Sequence, residues 1–270
     1  MLVSICIPVY NGEKTIVETL QAVMNQTYEE MEVIVVDNCS EDKTYEIVQN
    51  LQKVDDRIRL YRNESNLGMA GNWNECLKHV QGEYVHFVCA DDILRKDCIE
   101  KKMNLVEKES DIVMVFSASE IINDNGEMIM SRHEFKYDCC VDGQRLAKKS
   151  YHQKNLFGEP SNVLIKKRII DKVGEFARNT FYATDWDMWI RVASQGKVGY
   201  INLPLMQYRI SAQNETSKYN FKKFLEDDSI MMKNLEEYNC IPIYWYDKVI
   251  HRVFYFGRMV ARYMYMKIKC

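Results

Sequence analysis

The cysteines of this sequence follow no metal-binding or disulfide pattern, and the chain has no long apolar run. The nine cysteines are scattered, with no Cys-x-x-Cys pair and no histidine at ligand spacing, so neither a zinc site nor a disulfide framework is expected. No stretch reaches the roughly 18 apolar residues of a membrane-spanning helix, and no basic segment precedes the first apolar run. We therefore expect a cytoplasmic protein with reduced cysteines.

Two phosphate-binding loops are also absent. The first strand-like run leads into the segment Tyr10 to Lys14, which is neither Gly-x-Gly-x-x-Gly nor Gly-x-x-x-x-Gly-Lys. This disfavours a nicotinamide-dependent oxidoreductase, although Asp37 ends the second run as a ribose-binding acid would. A sugar nucleotidyltransferase would need a glycine- and basic-rich loop here to hold a triphosphate, and it remains an alternative.

Charge is distributed unevenly along the chain. The formal net charge is -3, but residues 248–270 hold six Lys or Arg and no Asp or Glu, leaving 30 basic and 39 acidic residues in the other 247. A mildly acidic body argues against general nucleic-acid binding, and the basic, aromatic tail indicates a partner surface of negative charge.

Three apolar, strand-like runs each end abruptly in polar residues. In an open parallel sheet the carboxyl ends of the strands line one edge, so these polar residues are predicted to share one crevice. Paired carboxylates at such an edge suit a divalent cation or a nucleotide. The runs are Val3–Val9 before Tyr10 and Asn11, residues 33–36 before Asp37 and Asn38, and residues 84–90 before Asp91 and Asp92.

Between these runs, apolar residues recur at helical spacing, which predicts a doubly wound α/β first half. The second half begins with a hairpin turn at 123–126 and a polar, irregular segment over 131–162. Helices are predicted at 14–26, 42–52 with Ser40 as the cap, 97–108, 167–173 and 185–195. Further strands are predicted at 58–61, 112–118, 198–200 and 205–208, and residues beyond 219 read as helical.

Several of these blocks, in this order and spacing, resemble glycosyltransferase family 2 of the GT-A fold. The resemblance covers about residues 2–217 and implies a mostly parallel, Rossmann-like α/β sheet flanked by helices. It divides the chain into a catalytic domain (1–217), with a nucleotide-binding half (1–118) and an acceptor-binding half (119–217), and a C-terminal helical extension (218–270). The matching blocks are 7–12, 35–42, 66–68, 82–84, 91–92, 184–191 and 204–209.

The resemblance implies an inverting enzyme that moves a hexosyl or N-acetylhexosaminyl group from a nucleotide-sugar, with UDP expected, to a saccharide or lipid-linked acceptor in surface polysaccharide synthesis. A non-catalytic carbohydrate- or nucleotide-binding protein remains an alternative. Pro8, Val9 and Tyr10 would line the nucleobase pocket, and Asp37 with Asn38 would recognise the base. Asp91 would contact ribose or phosphate, and Asp92 would bind Mn²⁺ or Mg²⁺.

Two positions depart from the family pattern. Most relatives carry Asp-Asp-Gly-Ser where this chain has Asp-Asn-Cys-Ser at 37–40, and the Asn38 amide can donate as well as accept, which leaves the base less defined. Relatives often have a histidine two residues after the Tyr-Arg pair, where this chain has Ser211, a poorer metal ligand. Asp37 also has a structural interpretation as a turn cap before the helix.

Asp185 is the candidate catalytic base. An inverting transfer needs one carboxylate to take the proton of the acceptor hydroxyl. The structural alternative is that residues 184–187 form a capping box, that Asp187 pairs with Arg191 four residues on, and that Asp185 is only a partner of the helix dipole, which would keep it ionised. Trp186 and Trp189 would either wall the acceptor pocket or face the core.

The C-terminal helix has two interpretations. In the first, one apolar face packs on the catalytic domain while the basic side is solvated. In the second, the helix lies in the interface of the inner leaflet and brings the enzyme to a lipid-linked acceptor by peripheral membrane contact. The apolar face consists of Val249, Val253, Phe256, Val260 and Met264, and the other faces hold His251, Arg252, Arg258, Arg262 and Lys269.

Overall fold

The computed structural model describes residues 1–211 and 221–269, and for residue 221 and residues 259–269 it describes the backbone alone. The strands are β1 (Val3–Val9), β2 (Met31–Asp37), β3 (Ile58–Arg62), β4 (Tyr84–Phe87), β5 (Ile93–Leu94), β6 (Ile112–Ile122), β7 (Met128–Arg132), β8 (Cys139–Asp142), β9 (Leu164–Lys166) and β10 (Lys197–Arg209). The helices are α1 (Ile16–Met24), α2 (Thr44–Gln52), α3 (Gly68–His79), α4 (Cys98–Lys108), α5 (Gly143–Gln153), α6 (Lys167–Val173), α7 (Thr184–Ala193), α8 (Phe221–Tyr238) and α9 (Trp245–Lys269), with a 3-10 turn at Pro160–Asn162.

The strands form one mixed sheet in the order β3-β2-β1-β4-β9-β6-β10-β5, with β7 paired to β6 and β8 to β10. The pairs β3–β2, β2–β1, β1–β4 and β6–β10 are parallel. Since β9 is antiparallel to both β4 and β6, the two parallel groups run in the same direction. The carboxyl ends of β1, β2, β4, β6 and β10 therefore meet at one edge of the sheet.

Helices cover both faces of the sheet. Residues of α1, α2 and α4 pack with Ile7 and Val35 on one face. Residues of α3 and α5 to α9 pack with Cys6 and Ile34 on the other. Neighbouring residues of a strand point to opposite faces, so a strand buried on both faces reads as a continuous apolar run. This is why β1 and β2 could be recognised in the sequence.

The segment 131–162 is more regular than predicted. It contains β8, the 11-residue helix α5 and the 3-10 turn, and the short strand β9 follows. The two short strands predicted near 198 and 205 are one 13-residue strand, β10, whose pairing with β6 shifts register on either side of Pro204. Because proline cannot donate to a strand partner, the interruption read from the sequence is a local irregularity in a continuous strand.

Helix α9 contradicts the expectation that its apolar stripe packs on the catalytic domain. Val249, Val253 and Phe256 are 52%, 66% and 58% exposed, whereas Asp247 and His251 are buried. His251 contacts Asp228 at 2.9 Å, and Asp247 accepts hydrogen bonds from α5. The side chains of Val260, Arg262, Met264 and Lys269 lie outside the described residues.

Candidate active site

The ends of β1, β2 and β4 lie side by side, as predicted. Val9 is opposite Asp37 in the β1–β2 register, and the Asn38 backbone N–H donates to the Val9 carbonyl at 2.8 Å. On the other side of β1, the Val88 N–H donates to the Cys6 carbonyl at 2.8 Å. The loops after these three strands are therefore neighbours at the carboxyl edge of the sheet.

Hydrogen bonds join the loop after β1 to the loop after β2. The backbone N–H of Asn11 donates to a hydroxyl of the second loop at 2.9 Å, and that of Gly12 donates to Thr44, the first residue of α2, at 2.8 Å. The first acceptor is Ser40, which was predicted to cap α2 but has no capping bond there. Of the residues expected at the nucleobase pocket, Tyr10 is exposed and Pro8 half-buried. Val9 is buried, so its side chain belongs to the core.

Asp37 is fully buried beside a guanidinium group. Its Oδ2 lies 3.2 Å from Arg62 Nε and accepts the Ser40 N–H at 3.2 Å. Arg62 in turn donates to the Ser40 carbonyl at 2.9 Å, so the carboxylate and the turn after β2 are held in one arrangement.

The Asn38 amide supports the loop between β3 and α3. Its oxygen accepts from Asn63 and from the Leu67 N–H, each at 2.9 Å, and its nitrogen donates to Asn66 at 2.9 Å. Both ends of the amide are thus engaged by protein groups. The predicted contact between Asn38 and the base would require these bonds to rearrange. Beside it, Cys39 has φ +63°, a left-handed conformation that glycine adopts most readily.

Asp91 and Asp92 have different surroundings. Asp92 is fully buried, and its two oxygens accept from Ser161 Oγ at 2.5 Å and from the Arg209 N–H at 3.1 Å. Burial and the neighbouring Asp91 raise the pKa of Asp92 well above its usual value. Asp91 is half-buried; burial raises its pKa too, and the positive charge of Arg209 opposes this. Only Asp91 presents surface to the crevice, so the predicted metal role of Asp92 is not matched by its environment.

Arg209 holds in place the turn after β4 that contains Asp91 and Asp92, called the carboxylate turn below. It is 5% exposed, and its guanidinium donates to the Asp91 carbonyl at 3.1 Å, to Glu18 at 2.6 Å, and to the carbonyls of Asn123 and Asp124 at 3.3 Å. Arg209 therefore joins β10, α1 and the β6–β7 turn.

Asp185 lies in the first turn of α7, half-buried. Its oxygens accept from the Trp186 N–H at 2.7 Å and from Asn155 Nδ2 at 3.1 Å. Burial raises the pKa of Asp185 to about 7, and the charge of Glu159 adds to the increase. The expectation that the helix dipole keeps this carboxylate fully ionised is therefore wrong, because desolvation outweighs the favourable hydrogen bond.

Asp185 and the carboxylate turn share one electrostatic environment. Burial raises the pKa of the Cys89 thiol at the end of β4, and the negative charges of Asp92, Asp91 and Asp185 raise it further. Asn155 donates both to Asp185 and to the Gly158 carbonyl, and Ser161, three residues further on, donates to Asp92. The structure therefore brings the candidate base to the crevice where β4 ends.

The start of α7 is held by α8 and not by a capping box. Asp227 on α8 accepts the N–H groups of Phe181 and Ala183, each at 2.7 Å. Asp187 instead pairs with Arg191 in the fully buried i,i+4 contact that the sequence predicted. Sequence reasoning missed Asp227 because its partners are 44 and 46 residues away along the chain.

The two tryptophans of α7 are core residues. Trp186 is 3% and Trp189 0% exposed, and Trp186 Nε1 donates to Ser150 at 2.9 Å. They do not wall the crevice, which settles the alternative that the sequence left open. His86 is also a core residue, fully buried with Nδ1 at 2.9 Å from the Phe87 carbonyl.

Comparisons with known proteins agree with this geometry. The family model "Glycosyl transferase family 2" matches residues 4–174. The chain is 31% identical over 212 residues to an uncharacterized glycosyltransferase of Methanocaldococcus jannaschii, covering 77% of this chain and 71% of the relative. It is 38% identical over 109 residues to a putative teichuronic acid biosynthesis glycosyltransferase of Bacillus subtilis, covering 40% and 43%.

Two solved structures share the fold. S. aureus TarS 1–349 in complex with UDP-GlcNAc superposes with a TM-score of 0.72 at 20% identity, covering 94% of this chain and 71% of TarS. A mannosyltransferase from Pyrobaculum calidifontis in complex with GDP-Man and Mn²⁺ has a TM-score of 0.57 at 19% identity, covering 79% and 57%. At these identities the similarity establishes the fold alone.

Proposed function

The chain belongs to glycosyltransferase family 2, and we propose that it transfers a hexosyl or N-acetylhexosaminyl group, with inversion, from a nucleoside diphosphate donor to the hydroxyl of a saccharide acceptor. UDP is the proposed nucleotide, and the solved complexes of TarS with UDP and UDP-GlcNAc support it. The observation that carries the proposal is a half-buried carboxylate, Asp185, whose pKa of about 7 suits a general base.

In the proposed reaction Asp185 takes the proton of the acceptor hydroxyl. The acceptor oxygen forms a bond to C1 of the sugar, and the bond from C1 to the diphosphate breaks on the opposite face, with its electron pair leaving on the diphosphate. The Asn155 contact at 3.1 Å and the Trp186 N–H at 2.7 Å fix the carboxylate. Asp37, Pro8 and Tyr10 lie on the side of the crevice proposed for the nucleotide.

The carboxylate turn fits a divalent cation that is shared with the donor. Among the described residues, no three His, Cys, Asp or Glu side chains are grouped closely enough to hold a metal ion by themselves. Mg²⁺ and Mn²⁺ need only one or two carboxylates when phosphates supply the other ligands. We assign this role to Asp91, because Asp92 is buried with both oxygens engaged. When bound, the cation would neutralise charge on the departing diphosphate.

Thermal shift with nucleotides tests both the donor and the metal. We expect UDP to raise the melting temperature more than GDP, CDP or ADP, and Mn²⁺ to increase the effect of UDP, because a ligand that binds only the folded state stabilises it. Asp91→Asn is expected to abolish the Mn²⁺-dependent part of the shift. Asp124→Asn is the matched control, since Asp124 is an exposed carboxylate whose charge acts on Asp91.

Two results would contradict these assignments. A Mn²⁺ effect that survives in Asp91→Asn would remove Asp91 from the metal site. Pyrophosphate release from a nucleoside triphosphate and a sugar phosphate would favour the nucleotidyltransferase alternative over sugar transfer.

We further propose that the acceptor is a lipid-linked saccharide of surface polysaccharide synthesis and that α9 contacts the inner leaflet, where the cytoplasmic enzyme would work. No described helix is both long and apolar enough to cross a bilayer. However, α9 buries Asp247 and His251 against the body and presents apolar side chains outward, among them Trp245 at 77% exposure and Val253 at 66%. The B. subtilis relative's name, which refers to teichuronic acid, supports the same pathway class.

Charge favours a lipid surface over a second copy of the chain as the occupant of this face. Residues 248–270 carry six basic and no acidic residues, so two α9 helices would repel each other, whereas an anionic leaflet attracts them. Tyr244, Trp245 and Tyr246 are 54%, 77% and 46% exposed at the start of α9, and Trp and Tyr are enriched at the interface of bilayers.

Vesicle binding tests the membrane contact. The double variant Trp245→Ser, Val253→Ser should bind phosphatidylglycerol-containing vesicles about tenfold more weakly than wild type, because the apolar area that enters the interface is lost. The control is Tyr137→Ser, Val54→Ser, which changes side chains that are 78% and 74% exposed outside α9. Equal vesicle binding by the α9 variant and the control variant would contradict the membrane contact. Loss of a dimer in the α9 variant alone would also contradict it.

A further inference from the structure

We propose that Arg132 binds the departing diphosphate of the donor and that Glu159 holds Arg132 in place until the donor arrives. This inference depends on the proposed function, because it assigns a residue to the leaving group of that reaction. The ion pair between Arg132 and Glu159 lies outside all the sequence blocks that match the family.

Arg132 ends β7 and lies between Glu159 and Tyr208. Its Nη2 pairs with Glu159, and its guanidinium lies 5.9 Å from the centre of the Tyr208 ring. Burial opposes its charge, but Glu159 and, more weakly, Asp92 raise the pKa of Arg132. Glu159 lies two residues before Ser161, whose hydroxyl donates to Asp92, and Tyr208 precedes Arg209, whose N–H also donates to Asp92, so the guanidinium lies close to the carboxylate turn. Among the described residues, Arg132 Nε is a buried donor without a hydrogen-bond partner.

Arg132 differs from Arg209, the other guanidinium at this turn in the described part of the chain. Arg209 is 5% exposed, and the turn, α1 and the β6–β7 hairpin all accept its hydrogen bonds. Arg132 is 36% exposed with a partner that is 19% exposed. The pair is therefore reachable from solvent, and a phosphate can compete with Glu159 for the guanidinium. The planar fork of an arginine matches phosphate oxygens, and a diphosphate carries more charge than one carboxylate.

When Glu159 loses its pairing with Arg132, its charge would also act on the base, Asp185. The charge of Glu159 already raises the pKa of Asp185, and it is partly neutralised while Arg132 is paired with it. When Arg132 moves to the diphosphate, the unshielded Glu159 raises the pKa of Asp185 further. The carboxylate then becomes a stronger base once the donor is bound, and the electron pair that leaves C1 ends on an oxygen beside Arg132.

Paired variants test this exchange. Arg132→Gln should weaken UDP binding about tenfold and lower kcat about a hundredfold, as expected for loss of a charged donor to the leaving group. Glu159→Gln should instead tighten UDP binding, because it frees Arg132, and should move the acid limb of the kcat/KM profile to lower pH. Arg95→Gln is the matched control, since Arg95 pairs with Asp97 at 2.8 Å with exposures of 47% and 17%.

The outcomes separate the inference from the proposed function. Unchanged UDP affinity and kcat in Arg132→Gln would overturn the inference, and so would a defect confined to the KM of the acceptor, which would place an acceptor anion at Arg132. Weakened UDP binding in both Arg132→Gln and Glu159→Gln would indicate a merely structural pair and would also overturn it. Absence of any UDP binding by wild type would instead reject the proposed donor. Circular dichroism of each variant checks folding.

Discussion

Asp185→Asn should lower kcat about a thousandfold, the middle of the range for a positioned general base, while UDP still binds. The amide keeps the shape of the carboxylate and can still accept from the Trp186 N–H, which lies 2.7 Å from Asp185 Oδ1, but it cannot take a proton. Transfer measured with a saccharide acceptor gives kcat, and calorimetry with UDP gives affinity. Parallel loss of both would mean that the variant has disturbed the fold, and unchanged turnover would remove Asp185 from the mechanism.

The same carboxylate predicts a pH dependence. Because the pKa of Asp185 is raised to about 7, the wild-type kcat/KM should rise with pH through this value and level off above it. This rise of kcat/KM with pH should be missing from the residual activity of Asp185→Asn. A group with this pKa changes its charge between about pH 5 and 8. A wild-type profile that is flat over this interval would contradict the assignment.

Stability gives an independent check with a defined sign. The folded-state pKa of Asp185 is about 7, above the value of about 3.9 for an aspartate in an unfolded chain. The folded state therefore binds the proton more tightly, and its contribution to stability is lost as the pH rises through about 7. Asp185→Asn should melt at a higher temperature than wild type at pH 8, and the difference should vanish at low pH.

The sequence predicts those parts of the fold whose pattern is local. Strands β1 and β2 are buried on both faces and appear as apolar runs, and α7 keeps its apolar spacing and its Asp187–Arg191 pair. Helix α5 has only Leu146 and Tyr151 as large buried apolar side chains, which is too weak a stripe to recognise. Strand β9 has three residues, and pairing with two distant strands decides its conformation.

The candidate site, like the fold, was predictable from the sequence only where the pattern is local. Strand ends marked Asp37 and Asp91 as residues of one edge of the sheet, because topology alone brings them together, whereas Asp185 was assigned only through the family resemblance. Which of the paired carboxylates faces the crevice depends on Ser161, which is 69 residues from Asp92 along the chain. Glu159 could not be assigned from the sequence either, because it follows an irregular loop. Contacts between distant segments leave no periodic signal, and the choice between the two interpretations of α9 could not be made from the sequence because the partners of its polar residues lie on α5 and α8.

Arg191→Met should cost about 3–5 kcal/mol of unfolding free energy, because it leaves the buried charge of Asp187 unpaired. Arg191 is 1% exposed, lies 2.8 Å from Asp187, and donates to the carbonyls of Val173 and Glu175. These bonds fix the segment before α7 as well as α7 itself. Urea denaturation followed by tryptophan fluorescence measures the loss, and Lys233→Met, in an exposed i,i+4 pair on α8, should change stability by less than about 0.5 kcal/mol.

The cause of this loss can be separated from loss of packing by its pH dependence. Burial raises the pKa of Asp187 and Arg191 opposes the rise, so removing Arg191 raises that pKa further. The folded variant then binds a proton at Asp187 more tightly than the unfolded chain does, and the loss of stability should be larger at high pH than at low pH, where the carboxyl takes up its proton. Adding Asp187→Asn to Arg191→Met should remove this dependence and recover part of the stability at high pH. If Arg191→Met is equally unstable at both pH values, the lost carbonyl contacts outweigh the ion pair, and the electrostatic explanation is wrong.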